Sequence, residues 1–246
     1  MIPRGRARIG VFVPFTNTNI EPDMMLMAPP GVSLHFTRLG GYDQDEIPDE
    51  DQMASLGAAE MDAPLKLIQG VKPDAIIYGC TSATLAHGPA FDRDLAAQIK
   101  RQSGAHSVTA AGALVYALKT MQITRIGFAS PYVPSLNDRA IAFLATEGIK
   151  TTARAEVDET LGNLGQGALM PDAVYQLGLR ADHAQAQAIV LSCTDMRSVE
   201  VIDQLEQTLG KPVISSNQAL MFQVLSLLGI SDTPNGYGQL FERLSQ

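Results

Sequence analysis

The chain has no tryptophan and only two cysteines in 246 residues. Two cysteines, with neither a Cys-x-x-Cys nor a His-x-His spacing, make a poor zinc site, so no metal is expected. No Gly-rich phosphate loop follows a strand-like run, so a nucleotide cofactor finds no support, and none of any kind is expected. No apolar run approaches the ~18 residues that a bilayer-spanning helix needs. Positive charge is also short. There are 18 Lys and Arg against 26 Asp and Glu, a net charge of −8. Nucleic acid and anionic membrane surfaces both require clustered Lys and Arg, and this balance argues against both as partners. The basic start Met1-Ile2-Pro3-Arg4-Gly5-Arg6 leads into a strand-like octet that breaks at Pro14, unlike a signal-peptide core. A cytoplasmic protein is expected, and there two cysteines are free thiols rather than a disulfide.

The content that remains, 46% apolar and 18% charged, is that of an ordinary globular protein. Two stretches organise it. Asp74-Ala75-Ile76-Ile77-Tyr78-Gly79-Cys80-Thr81 and Gln187-Ala188-Ile189-Val190-Leu191-Ser192-Cys193-Thr194 are apolar runs that both end in Cys-Thr. Short apolar runs of this kind suit strands buried on both faces of a parallel sheet. Other pieces recur in the same order. Arg8-Ile9-Gly10-Val11-Phe12-Val13-Pro14 is echoed by Arg125-Ile126-Gly127-Phe128-Ala129-Ser130-Pro131, and Ser107-Val108-Thr109-Ala110-Ala111 by Pro212-Val213-Ile214-Ser215-Ser216. Three matches in one order indicate a duplicated fold.

Strands alternate with helices in both halves. Strands are expected near 8–13, 32–37, up to Cys80, and 107–110, then near 124–129, 150–156, up to Cys193, and 212–215. Helices are expected over 52–69, from Pro89, up to Met121, and over 135–147, 171–184, 197–209 and 217–228. Such alternation implies α/β architecture: two similar doubly wound parallel-sheet lobes related by a pseudo-twofold axis. The lobes are assigned to residues 1–120, joined by the segment 217–246, and to residues 121–216. Ligands bind beyond the carboxyl ends of strands in such sheets, so a site is expected in the cleft, with Cys80 and Cys193 on opposite walls.

Two opposed thiols can take a Cα proton, or add to a double bond, from one face and supply a proton from the other. The thiolate is the reactive form, and backbone N–H groups of the turn after each strand are expected to favour it. The hydroxyls of Thr81, Ser82 and Thr194 add donors for a carboxylate driven toward an enediolate. Buried cysteine is commonly an inert packing residue. Two of them, each followed by Thr at matched places in a duplicated fold, argue for function instead.

Val13-Pro14-Phe15-Thr16-Asn17-Thr18-Asn19-Ile20-Glu21-Pro22-Asp23, Tyr78-Gly79-Cys80-Thr81-Ser82-Ala83-Thr84, Ser130-Pro131-Tyr132 and Ser192-Cys193-Thr194-Asp195-Met196-Arg197 together resemble the aspartate/glutamate racemase superfamily, in its maleate cis-trans isomerase and arylmalonate decarboxylase branch. The resemblance implies that Cys80 is the nucleophile that adds to an alkene and that Cys193 handles the proton. It implies that Asn17, Tyr132 and Asn163 bind substrate carboxylates. In arylmalonate decarboxylases the position of Cys80 is glycine, so keeping both thiols argues against a plain decarboxylase. Asp195 departs from the pattern, because maleate isomerases carry an uncharged residue there. Either it turns away to pair with Arg197, or the substrate carries a cationic nitrogen.

Four histidines, His35, His87, His106 and His183, are scattered and read as surface or core residues. The acidic stretch 40–51 reads as solvated charge or as a lid. The Met24-Met25-Leu26-Met27 cluster reads as core or as a subunit contact in a homo-oligomer. Asn17 and Asn19 could simply cap a helix. The expectation is a cofactor-independent two-cysteine isomerase or racemase acting on a small carboxylate. The alternatives are a decarboxylase that uses Cys193 as proton donor and a non-catalytic carboxylate-binding protein.

Overall fold

The computed structural model describes residues 5–40, 49, 51, 53, 55, 61–232 and 236–245. The acidic stretch therefore falls largely outside the described residues, as do parts of the helix expected over 52–69 and the first four residues. Among the described residues, no helix is long and apolar enough to cross a membrane.

Among the described residues, eight strands form two sheets of four. The first holds β1 (Ala7–Pro14), β2 (Val32–Leu39), β3 (Ala75–Tyr78) and β4 (His106–Thr109), in the order β2-β1-β3-β4. The second holds β5 (Arg125–Ser130), β6 (Lys150–Glu156), β7 (Ala188–Leu191) and β8 (Val213–Ser215), in the order β6-β5-β7-β8. Every pairing is parallel. The sequence explains which strands lie inside. Ala75–Tyr78 and Ala188–Leu191 are unbroken apolar runs and are wholly buried, as strands covered on both faces must be. The edge strands β2 and β6 interleave Ser, Thr, Arg and Glu and are only partly buried.

The duplication reaches single hydrogen bonds. Gly79 N donates to Phe12 O at 2.9 Å in one lobe, and Ser192 N donates to Ala129 O at 2.8 Å in the other. The repeated Arg-Ile-Gly has a packing cause as well. A Cβ on Gly10 would stand 2.7 Å from Ile68 Cγ1, and one on Gly127 would stand 2.0 Å from the carbonyl oxygen of Ala181. Each strand thus lets a neighbouring segment press against its backbone, which only glycine permits.

The lobes share one core. The helices Ala110–Thr120 and Ser216–Leu227 follow β4 and β8, are lined by buried apolar side chains, and pack on each other. Their starts are matched too. Thr109 Oγ1 accepts from Gly112 N, and Ser215 Oγ accepts from Gln218 N, whose side chain returns the bond. Such caps are worth roughly 1 kcal/mol each.

Two short helices escape the sequence reading. Thr81–His87 starts directly after Cys80, where β-branched and hydroxyl residues disfavour helix. Thr84 Oγ1 bonds back to the carbonyls of Cys80 and Thr81, and Gly88, at φ 85°, ends the turn. Asn163–Gly167 forms where three glycines within six residues predict loop. The helix expected over 197–209 is divided into a 3₁₀ turn at Val199–Val201 and an α-helix at Ile202–Leu209.

Candidate active site

The carboxyl ends of β1, β3, β5 and β7 converge on one cavity. It is lined by Pro14, Thr16, Asn17, Met53, Cys80, Ser82, Tyr132, Asn163, Gln166, Cys193, Thr194 and Asp195. Its volume is about 30 Å³. That is room for roughly two waters, counted at ~10–15 Å³ each, so the space is narrow. Seven of the eight residues singled out from the sequence lie on its wall. Thr81 is the exception. It is buried, and its Oγ1 has no hydrogen-bond partner among the described residues.

Both thiols are free and buried. Cys80 lies two residues past β3, at the N-cap of Thr81–His87. The backbone N–H groups of Ala83 and Ser82 and the Ser82 hydroxyl all favour its thiolate. The Ser82 oxygen is 3.6 Å from Sγ. Cys193 lies two residues past β7 and is followed by a turn rather than a helix. Its sulfur accepts from Asp195 N at 3.3 Å and lies 3.6 Å from Gln166 Oε1. It also receives a hydrogen bond from the Tyr132 hydroxyl, which is itself bonded to Ser82.

The turn N–H groups therefore do face the sulfurs, but they do not lower the thiol pKa values as expected. Burial dominates and pushes both thiols above the ordinary cysteine range. After burial, the carboxylate of Asp195 weighs most on Cys193, whereas it weighs least on Cys80. Tyr132 is raised well above its ordinary value, first by burial and then by the two neighbouring sulfurs. At rest the cavity thus holds two protonated thiols and a neutral phenol.

Apart from Asp195, the polar part of the remaining wall is neutral. Asn17 Nδ2 donates to Thr194 Oγ1 at 3.1 Å, and Thr194 Oγ1 donates to Gly79 O at 2.9 Å, which joins the β1, β3 and β7 ends. Asn17 is also a cap. Its Oδ1 accepts from Asn19 N and Ile20 N at the start of the helix Ile20–Met27. Capping and cavity-lining are therefore both true of it. Asn163 opens the short helix whose Gln166, three residues on, shares its face. That spacing could have pointed to Gln166 had the segment been read as helical. Met53 carried no such signal. Among the described residues no Lys, Arg or His lines the cavity, and His87 stacks on Phe91.

Asp195 does not turn away to pair with Arg197, as one of its two readings had it. It lines the cavity, and Arg197 pairs with Glu200 at 2.7 Å rather than with it. Its Oδ1 accepts from Thr18 N at 2.8 Å, Asn19 N at 3.1 Å and Asn19 Nδ2 at 3.0 Å. Burial raises its pKa to about 6 against these bonds, which favour the charge. The carboxylate is held by the amides of the opposite lobe. In the Met24–Met27 cluster, Met24 and Met27 are core while Met25 is exposed.

Two parallel-sheet lobes closing over a shared pair of thiols define a class of pseudo-symmetric α/β enzymes that act on small acids. Comparison with known proteins narrows this. The family model described as arylmalonate decarboxylase matches residues 9–241, and the chain belongs to that family. It is 26% identical over 249 residues to the maleate isomerase of Nocardia farcinica, covering 97% of each chain. It is 26% identical over 236 residues to the arylmalonate decarboxylase of Bordetella bronchiseptica, covering 94% of this chain and 91% of that one. Its fold matches that of a cysteine-to-serine mutant of the Nocardia farcinica maleate cis-trans isomerase with a covalently bound succinylcysteine intermediate. The TM-score is 0.86 at 24% identity, covering 96% of this chain and 98% of that one.

Proposed function

We propose that this chain is a cofactor-independent isomerase of small carboxylates that works by reversible addition of a thiol to an alkene, as in maleate cis-trans isomerisation. The observation that carries this is the presence of both sulfurs on the wall of one narrow cavity. Cys80 is the nucleophile. As substrate enters, Cys80 passes its proton to solvent and it regains one when product leaves, and the thiolate is stabilised by the Ser82 and Ala83 N–H groups and the Ser82 hydroxyl. The thiolate forms a C–S bond to one alkene carbon, and the π electrons move into the neighbouring carboxylate as an enediolate. Asn17, Ser82, Tyr132 and Asn163 are the donors that bind the carboxylates, while Thr194, whose proton goes to Gly79 O, orients Asn17. Preorganised neutral donors of this kind stabilise charge that develops in a dry site. Cys193 gives its proton to the carbanion carbon, the former double bond rotates, and Cys193 takes the proton back. Loss of the Cys80 thiolate restores the alkene in the trans form, with no net oxidation.

The role split follows from the surroundings. Asp195 bears on Cys193 and keeps it a thiol, which suits an acid, whereas Cys80 has more donors ready for an anion. The succinylcysteine seen in the Nocardia farcinica protein is an adduct of the expected kind. Decarboxylation of an aryl-substituted malonate fits less well, because it leaves Cys80 without a task.

Proton NMR of maleate and a panel of small mono- and dicarboxylates in heavy water tests the reading. Conversion of maleate to fumarate that stops in Cys80→Ser and in Cys193→Ser supports it. Deuterium uptake at Cα would mark a racemase and carbon dioxide release a decarboxylase. No turnover across the panel, with both thiols still open to iodoacetamide, would leave a binding protein.

A further inference from the structure

Beside Ser82 and Tyr132, three segments carry polar side chains to the cavity. The loop after β1 carries Asn17, the short helix Asn163–Gly167 carries Asn163 and Gln166, and the turn after β7 carries Cys193 and Thr194. They come from both lobes, and each is short and weakly helical or irregular. What joins them is one carboxylate. We propose that Asp195 is a positioning residue, a latch between the lobes. Its Oδ1 gathers the amides of Thr18 and Asn19 and so fixes Asn17 over the cavity, and Asn19 passes the hold on to the short helix.

The bonds form a closed set. Asn19 N is shared between Asp195 Oδ1 at 3.1 Å and Asn17 Oδ1 at 3.0 Å, so the same amide that reaches the latch also orients Asn17. Asn19 Nδ2 is within 3.0 Å of Asp195 Oδ1, of the Asp195 carbonyl and of the Gly167 carbonyl. Asp195 N in turn donates to the Cys193 sulfur. A carboxylate accepting several N–H groups makes bonds about twice as strong as neutral ones. The packing around it leaves no slack. A Cβ on Gly167 would stand 2.8 Å from Thr18 Oγ1 and 2.9 and 3.1 Å from the two Asp195 carboxylate oxygens. The short helix can therefore lie this close only with glycine at its end. Other charged groups near the latch are Asp23, Arg197 and Glu200, and none of them is hydrogen-bonded to the Asp195 carboxylate.

That a loosened Asn17 weakens substrate binding rests on the function proposed above. That the latch closes the cavity does not, and the two are tested apart. The first arm needs no substrate. Cys80 is alkylated with iodoacetamide at about pH 9 and quantified by peptide mass spectrometry. Asp195→Asn removes the charge, while Gly167→Ala keeps it and forces the helix away. Both are expected to speed Cys80 alkylation ~10-fold or more by opening the cavity, an access effect that local opening controls. The double variant should be no faster than the faster single, because both break one device. Gly10→Ala, which disturbs packing far from the cavity, serves as the stability control and should stay within ~2-fold. Wild-type-like rates in Gly167→Ala, or multiplied effects in the double variant, would overturn the latch.

The second arm uses maleate. Asp195→Asn should raise KM ~10-fold, the mark of lost binding, apart from any change in kcat that follows from relieving Cys193 of the charge. On an Asn17→Ala background the same change should add little. A fall in kcat at constant KM would place Asp195 in the chemistry of Cys193 and remove its positioning role. If maleate is not converted at all, the function proposed above fails and the alkylation rates still decide the latch.

Discussion

The two lobes share strand order, the Arg-Ile-Gly start and the Cys-Thr ending, yet they treat their cysteines differently. Cys80 follows Gly79 and opens a helix, with two backbone N–H groups and a hydroxyl turned toward its sulfur. Cys193 follows Ser192 and opens a turn, with a carboxylate two residues on. The difference teaches that duplication supplied the placement and later divergence supplied the chemistry. Two identical thiols in one cavity have no reason to take opposite roles. Unequal neighbours give one of them donors for an anion and the other a charge that keeps it protonated.

The strongest test of that contrast is the chemistry itself. Cys80→Ser and Cys193→Ser should each lower turnover by roughly 10²- to 10⁴-fold, the scale of losing a positioned acid–base group. The double variant should lose little more, since groups acting as a unit are not additive. Intact-protein mass spectrometry with maleate separates the pair. A covalent adduct should collect in Cys193→Ser and be absent in Cys80→Ser. Adducts on Cys193 in the Cys80 variant would reverse the assignment.

A second contrast lies behind the cavity. The first lobe buries a carboxylate there, Asp23, hydrogen-bonded to Asn217. The second buries a neutral amide, Asn137, bonded to Ser130, Tyr132 and Glu156. Burial raises the Asp23 pKa from 3.8 to about 7. The folded state then holds the proton more tightly than the unfolded one. Stability is therefore greatest below about pH 4 and falls as pH rises toward 7. Asp23→Asn should remove up to about 4 kcal/mol of that slope and stabilise the protein at pH 8. Urea melts at pH 5 and 8 measure it. Asp92 and Asp195 are shifted the same way, so a smaller slope should remain. An unchanged slope would show that Asp23 titrates normally.

The repeated glycines give a smaller and cleaner contrast. Gly10 faces a flexible Ile68 side chain, whereas Gly127 faces the backbone of Ala181. Gly127→Ala should cost about 3 kcal/mol and Gly10→Ala about 1 kcal/mol, because a side chain can give way and a carbonyl cannot. Equal losses in urea unfolding would mean that the two packings are alike after all.

These pairs also show what could be read from residues alone. Apolar runs ending in Cys-Thr and matched Arg-Ile-Gly starts are local patterns, so both sheets and both thiols were legible. Hydroxyls beside the two cysteines pointed to Ser82 and Thr194, whereas Asn17, Tyr132 and Asn163 came from the family resemblance. Asp195 was visible as a departure, but its partners Thr18 and Asn19 lie on the far lobe, and no local rule links them. Gln166 and the helix that carries it were hidden by glycines whose cost is offset by packing against Asp195 and Thr18. Thr81 was expected on the wall because it follows Cys80, but the helix that starts there turns it inward. The thiol pKa values were misjudged because donors are visible in a sequence pattern and the depth of burial is not.

The smallest expected effect concerns the resting thiols themselves. Only the thiolate reacts with iodoacetamide, and burial raises both groups above the ordinary range of ~8.5. Alkylation should therefore be slow at pH 8 and rise with pH through 9 and beyond, about tenfold per unit while the thiolate remains the minor form. Within that slow reaction Cys80 should be labelled several-fold ahead of Cys193, since the Asp195 charge weighs more on the latter. In Asp195→Asn the lead of Cys80 should shrink, because removing the charge relieves Cys193 more even as the cavity opens to both. A lead that survives the substitution intact would trace the inequality to the Ser82 and Ala83 donors alone, and the divergence between the lobes would then rest on the helix after β3 rather than on the carboxylate after β7.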